Sequence, residues 1–231
     1  MINVVTILVG SLLGLLIKSR LNEKLKSSLV VVLGLFTLGL GVKMFLDTSN
    51  VLVVQLSMLI GTLIGELLRI DDGLTKFGEF MQRKFSRAAE GETNTFAKGL
   101  LTATLLYAVG PVAFLGAIQD GLTGDYSLLA VKSLMDGVSS MALAATLGMG
   151  VLFSAVPVFL YQAGISLLAG TLQGVLSTNA IAEISAVGGV ILLGIGISML
   201  LDLKHIRTAN FLPALLLAPL VLAVFTALGL Y

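Results

Sequence analysis

Lys132 and Asp136 stand four residues apart within 110–150, GPVAFLGAIQDGLTGDYSLLAVKSLMDGVSSMALAATLGMG, in a chain that otherwise keeps charge away from the middle of its apolar runs. Four residues is about one helical turn, so the two side chains share a face and can form an ion pair. Ser139 and Ser140 follow on the same helix, Ser140 on the face of Asp136. A carboxylate, hydroxyls and backbone carbonyls loosened by Gly137 make an oxygen-rich set that suits a hard cation or a proton. Ionised groups at membrane depth are costly and usually face a partner, a cavity or a pathway. The structural alternative is that Lys132 and Asp136 neutralise each other and only pin helices together.

A second acidic group precedes this one. Gln119-Asp120-Gly121 and Asp125 read either as a tight outer turn, since Asp and Gly are turn formers, or as an acidic entrance leading to Asp136. Gln55, Gln162 and Asn210 are the remaining amides in or at the ends of apolar runs, suited to interhelical hydrogen bonding or to ligand contact. Glu66, three before Arg69, reads as half of a surface pair. The site expected from sequence is therefore Asp136, Lys132, Asp120, Gln119, Ser139, Ser140, Asn210 and Gln55, with no metal assigned. The single histidine, His205, falls in a loop, and there is no HExxH, Walker or GxSxG motif, so the chain is not expected to be an enzyme and no cofactor is expected. A net charge of +1 argues against a nucleic-acid partner.

The elements that must hold these residues are membrane helices. Of 231 residues, 57% are hydrophobic and 12% charged, and the mean hydropathy is +1.04. A soluble domain would carry roughly 25% charged residues. Cysteine is absent, which removes disulfides and thiolate metal sites. Because roughly 20 apolar residues cross a bilayer, the chain divides into about eight spans. They cover 1–17, 27–46, 51–68, 99–118 with a kink expected at Pro111, 126–151, 156–176, 184–201 and 210–231. Gly148, Gly150 and Pro157 mark a break, with Ser154 a candidate N-cap. Residues 69–98 carry Leu74, Phe77, Met81, Phe85 and Ala88 at helical spacing among Lys and Arg, which reads as an amphipathic surface helix or an exposed loop helix, followed by a linker at 91–95.

Twelve of the 14 Lys and Arg fall in 18–26, 69–98 and 204–207, which an eight-span plan places on one side. Basic connections are cytoplasmic, so both termini are expected outside. The opposite connections carry Asp47, Asp120, Asp125 and Glu183. Residues 34–47, GLFTLGLGVKMFLD, align without gaps on 189–202, GVILLGIGISMLLD, with Gly34/Gly189, Gly39/Gly194, Gly41/Gly196, Met44/Met199 and Asp47/Asp202 identical. In the eight-span plan these copies run antiparallel, as in transporters built from inverted repeats. Convergence of glycine-rich packing faces is the other explanation. The expected architecture is an all-α polytopic bundle: a three-helix repeat (1–68), a cytoplasmic amphipathic linker (69–98), a two-helix insert with the intramembrane charges (99–151) and a second, inverted three-helix repeat (156–231).

The stretch GPVAFLGAIQDGLTGDYSLLAVKSLMDG, the following GVLFSAVPVFLYQAG and the C-terminal GGVILLGIGISMLLDLKHIRTANFLPALLL together resemble the YdfK/YqgA-like family of uncharacterised bacterial integral membrane proteins, domain of unknown function 554. The resemblance covers essentially the whole chain. It implies a bacterial plasma-membrane protein and carries over no activity. The function expected from the residues is a secondary transporter or exchanger of a small solute or ion, coupled to H⁺ or Na⁺ through Asp136. A cation channel, or a structural membrane protein whose charge pair only stabilises packing, is the alternative. The expected partners are the lipid bilayer, a small solute or cation and, from the glycine faces, a second copy in a homodimer.

Overall fold

The computed structural model describes residues 2–85, 93–108, 111–173, 177–201 and 206–230. Every regular element among them is helical: α1 (Ile2–Lys18), α2 (Glu23–Phe45), α3 (Val51–Leu68), α4 (Ile70–Phe85), α5 (Thr93–Ala108), α6 (Pro111–Thr123), α7 (Ser127–Leu147), α8 (Gly150–Phe153), α9 (Ala155–Leu167), α10 (Ala169–Gln173), α11 (Thr178–Leu201), a 3₁₀ turn (Thr208–Phe211) and α12 (Pro213–Ala227). Local chemistry sets the ends. The Asn22 side chain accepts from Leu25 N–H to open α2, and the Asn50 side chain accepts from Leu52 N–H to open α3. Pro213 starts α12, where its missing N–H costs nothing. Gly124 and Gly148 take φ of 72° and 79°, which turns the chain before and after α7.

Among the described residues six helices, counting α8–α9 and the 3₁₀ turn with α12 as one each, are long and apolar enough to cross a membrane. The bent pair Thr95–Ala108 and Val112–Thr123 adds a seventh if it is one span, and α1 is a shorter apolar helix. The kink expected at Pro111 is a 61° bend between two separate helices, with α6 starting at Pro111.

Small residues decide which helices meet. On α1 and α7, Gly137 abuts Thr6, Gly10 abuts Gly137 and Ser140, Gly14 abuts Met141 and Ala144, and Gly148 faces the Lys18 amine. Both residue numbers rise together, so these two helices run parallel. On α2 and α11, Gly41 abuts Gly189 while Gly34 abuts Met199 and Leu200, an antiparallel crossing. On α3, Gly61 meets Ala214 and Gly65 meets Asn210, again antiparallel. Without a hydrophobic driving force between helices in lipid, such close backbone approach is what dispersion and packing can exploit. The main core, including Ile7, Leu105, Tyr107, Leu143, Val187 and Ile191, lies where these pairs converge.

Several local expectations change. Ser154 caps nothing: it has helical backbone angles and its hydroxyl donates to Val151 O at 2.6 Å. The amphipathic segment is helical over α4, and the linker expected at 91–95 is helical from Thr93 onward; Ala88, Gly91 and Glu92 lie outside the described residues. Asp202, Lys204 and His205 also lie outside them. Glu66 pairs with Arg207 at 3.2 Å and not with Arg69, whose left-handed backbone (φ 51°) ends α3 and turns it away.

Candidate functional site

Lys132 and Asp136 form an ion pair on α7, and both are buried, 8% and 7% exposed. Asp136 is the tenth residue of α7, about 13 Å from its start at ~1.5 Å per residue, close to the helix midpoint. Ser140, fully buried, closes the same face one turn on, its hydroxyl donating to Gly137 O at 2.8 Å. Gly137 is small because α1 crosses here at Thr6 and Gly10. A carboxylate and an ammonium are thus held by one helix and sealed in by others.

Two further residues complete the site. Asn3, 2% exposed in the first turn of α1, sets its amide beside the Asp136 carboxylate. Tyr107, fully buried on α5, has the Lys132 amine 6.0 Å from its ring centre, at the outer limit of a cation–π contact, and its hydroxyl lies close to Ser140. Neither the Asn3 amide nor the Tyr107 hydroxyl makes a hydrogen bond of acceptable geometry. Among the described residues the buried side-chain atoms without a partner are Asn3 Nδ2 and Oδ1, Ser11 Oγ, Thr104 Oγ1, Tyr107 Oη and Gln162 Nε2. All lie on α1, α5 and α9. Helices α1 and α5 each pack against both α7 and α9. Each such orphan costs about 1–3 kcal/mol when buried dry.

The other residues expected at the site are placed elsewhere. Gln119 and Asp120 sit near the end of α6, where the Gln119 amide donates to Asp125 Oδ2 at 2.7 Å. Asp120-Gly121 is not a turn; the backbone passes through it as helix, and a side chain at Gly121 would collide with Ser166 O. The reversal comes at Gly124, and Asp125 then starts α7 by accepting from the Ser127 hydroxyl and N–H. The Ser127 hydroxyl, its N–H and Gln119 hold the exposed Asp125 carboxyl below its ordinary range, so this local lock is complete above that range and lost as pH falls through the lowered value. Asn210 Oδ1 accepts from Asp71 N–H at 2.8 Å, tying α4 to the 3₁₀ turn. Gln55 is exposed on α3, and Ser139 is half-buried beside the Asp136 face.

A buried carboxylate that the sequence reading placed in an outer connection belongs instead to a helix. Glu183, on α11 with no exposure, accepts from Thr48 Oγ1 at 2.6 Å, Ser49 N–H at 3.1 Å and Asn50 N–H at 3.3 Å. Ser185 donates to Asp47 Oδ2 at 2.9 Å alongside. It fastens the turn between α2 and α3 and is not part of the Asp136 cluster. Among the described residues no group of three or more His, Asp or Glu could hold a metal ion.

With the helices and the buried pair placed, the comparisons with known proteins fall into line. The family profile described as "Protein of unknown function (DUF554)" matches residues 1–223. The chain belongs to the DUF554 family. It is 32% identical over 232 residues to the "Uncharacterized membrane protein YdfK" of Bacillus subtilis (strain 168), covering 99% of this chain and 96% of that one. It is 30% identical over 227 residues to the "Uncharacterized protein YqgA" of Escherichia coli (strain K12), covering 98% and 96%. No solved structure matches. A membrane-protein relative along the whole length and several long apolar helices make this DUF554 chain a multi-span membrane protein.

Proposed function

We propose that this protein is a secondary transporter or exchanger of a small solute or ion, coupled to H⁺ or Na⁺ through Asp136, and that it acts in the bacterial plasma membrane without a cofactor and not as an enzyme. The observation that carries this reading is that two buried groups without a partner, the Asn3 amide on α1 and the Tyr107 hydroxyl on α5, stand beside the Lys132–Asp136 pair. A pair kept only for packing needs no further polar atoms near it. A site that exchanges partners during a cycle does.

The fold supports the architecture this function uses. The parallel α1/α7 pair and the antiparallel α2/α11 and α3/α12 pairs fit eight crossings with both termini on the same side. Seven crossings without a reversal near Gly150 would make α2 and α11 parallel. The two copies of the glycine motif also meet each other symmetrically: Gly41 abuts Gly189, and Gly196, which aligns with Gly41, abuts Gly34, which aligns with Gly189. A two-fold axis in the membrane plane produces that reciprocity, and inverted repeats produce the axis. The symmetry is local to this crossing, since Leu59 and Leu216 are exposed where the α3/α12 contact would need them inside.

The experiment is a double substitution read by flux. Wild-type protein in vesicles loaded with a pH-sensitive dye should pass protons when a Na⁺ or solute gradient is imposed. Asp136→Asn alone strands the lysine charge, a cost of about 3–5 kcal/mol, and should impair insertion. Adding Lys132→Met should restore a stably inserted protein that carries no coupled flux. Unchanged flux in the double variant would end the functional claim and assign the pair to packing.

A further inference from the structure

A cleft of about 780 Å³ opens at one end of the bundle, between α4, the start of α5, the end of α11 and the 3₁₀ turn. Pockets that hold small solutes are usually 300–1,000 Å³, roughly this size. Among the described residues its charged lining is Asp71, Asp72 and Glu79 against Lys76, Lys98 and Arg207, three of each sign. Thr75, Thr95, Thr102, Ser198 and Thr208 add hydroxyls. Clefts lined by one sign concentrate ions of the other, whereas the described lining here is balanced.

Inward of the cleft, α5 carries two further polar side chains. Ala97, Leu101, Thr104 and Tyr107 follow at spacings of four, three and three, a row that winds by about 120° around α5 between Leu101 and Tyr107. Ala97 and Leu101 line the cleft. Thr104 and Tyr107 carry two of the buried hydroxyls that have no partner. Tyr107 in turn faces Lys132, with Ser140 beside its hydroxyl. From Leu101 to Tyr107 is six residues, about 9 Å along the axis.

The geometry points to this cleft as the mouth of a polar route along α5, through which small water-soluble solutes of either sign reach Lys132–Asp136 from the end of the bundle that carries the basic connections. The route rests on that pair being the working site.

The protein contains no cysteine, so single thiols can be read without a background. Ser198→Cys and Thr102→Cys report the mouth, Thr104→Cys reports the route with almost no change of shape, and Ala186→Cys, 0% exposed in the apolar core, is the buried control. Membrane-impermeant methanethiosulfonates, one cationic and one anionic, are added to sealed membrane vesicles of each orientation. The mouth thiols should react from one side. Thr104→Cys should react from that same side roughly tenfold or more faster than Ala186→Cys, because the reactive thiolate needs water around it. The two reagents should agree within about threefold, where a charge-selective cleft would separate them by tenfold or more. Thr104→Cys as slow as Ala186→Cys, reactive only from the opposite side, or reactive with one sign alone would overturn the proposal. Labelling as expected in a protein whose double charge substitution leaves flux unchanged would keep the route and remove Asp136 as its destination.

Discussion

At the scale of single residues, buried carboxylates here do two different jobs. Asp136 meets one charged partner on its own helix and orphaned neutral groups on two others. Glu183 meets three donors from one turn and holds the α2–α3 connection closed. Glu183→Ala should lower unfolding stability by about 1–3 kcal/mol by leaving those donors unpaired, whereas the half-buried Asp120→Ala should be close to neutral; thermal melts of the purified variants in one detergent check the order. Equal melts would mean the turn is held by its own backbone. Lys132 and Asp136 were legible in the sequence because an i,i+4 charge pair in an apolar run is a local signal. Asn3 and Tyr107 were not, since their role arises only when α1 and α5 pack on α7. Glu183 misled because a charge beside an apolar run reads as a loop residue until its partners across the bundle are known.

At the scale of elements, glycine spacing announced close packing without telling which glycines pack. Gly39 and Gly41 sit in the same motif and are equally matched in the second copy. A side chain at Gly39 would meet nothing within 4 Å, while one at Gly41 would sit 2.8 Å from Gly189 O and 3.0 Å from Leu193. Gly39→Leu should therefore leave the melt unchanged or raise it slightly, since glycine inside a helix costs about 1 kcal/mol against better helix formers. Gly41→Leu should push α11 off α2 and lose folded protein, read as the fraction that elutes as a single species from size exclusion. A harmless Gly41→Leu would show that α2 and α11 do not cross here. Helix boundaries were mostly legible because Asn, Gly and Pro mark them. One exception, at Ser154, follows from its hydroxyl preferring a carbonyl one turn back.

At the scale of the molecule, the connections sort themselves to two ends. Lys18, the last residue of α1, reaches Gly148 at the end of α7, and Gly150 abuts Phe96 at the start of α5. Lys98 and Arg207 line one cleft with α4, and Arg207 pairs with Glu66. The basic stretches that sequence alone located separately are thus gathered at one end. At the other, Glu183 near the start of α11 holds the 48–50 turn, and the Asn50 amide donates to Leu230 O near the C-terminus at 3.1 Å. Basic ends stay cytoplasmic, so the end holding the 48–50 turn and Leu230 should face outward. A C-terminal alkaline phosphatase fusion should be active and a C-terminal fluorescent fusion that matures only in the cytoplasm should be dark. The converse pattern would invert the orientation, put the 780 Å³ cleft on the outer face and require the solute to meet Lys132–Asp136 first from outside.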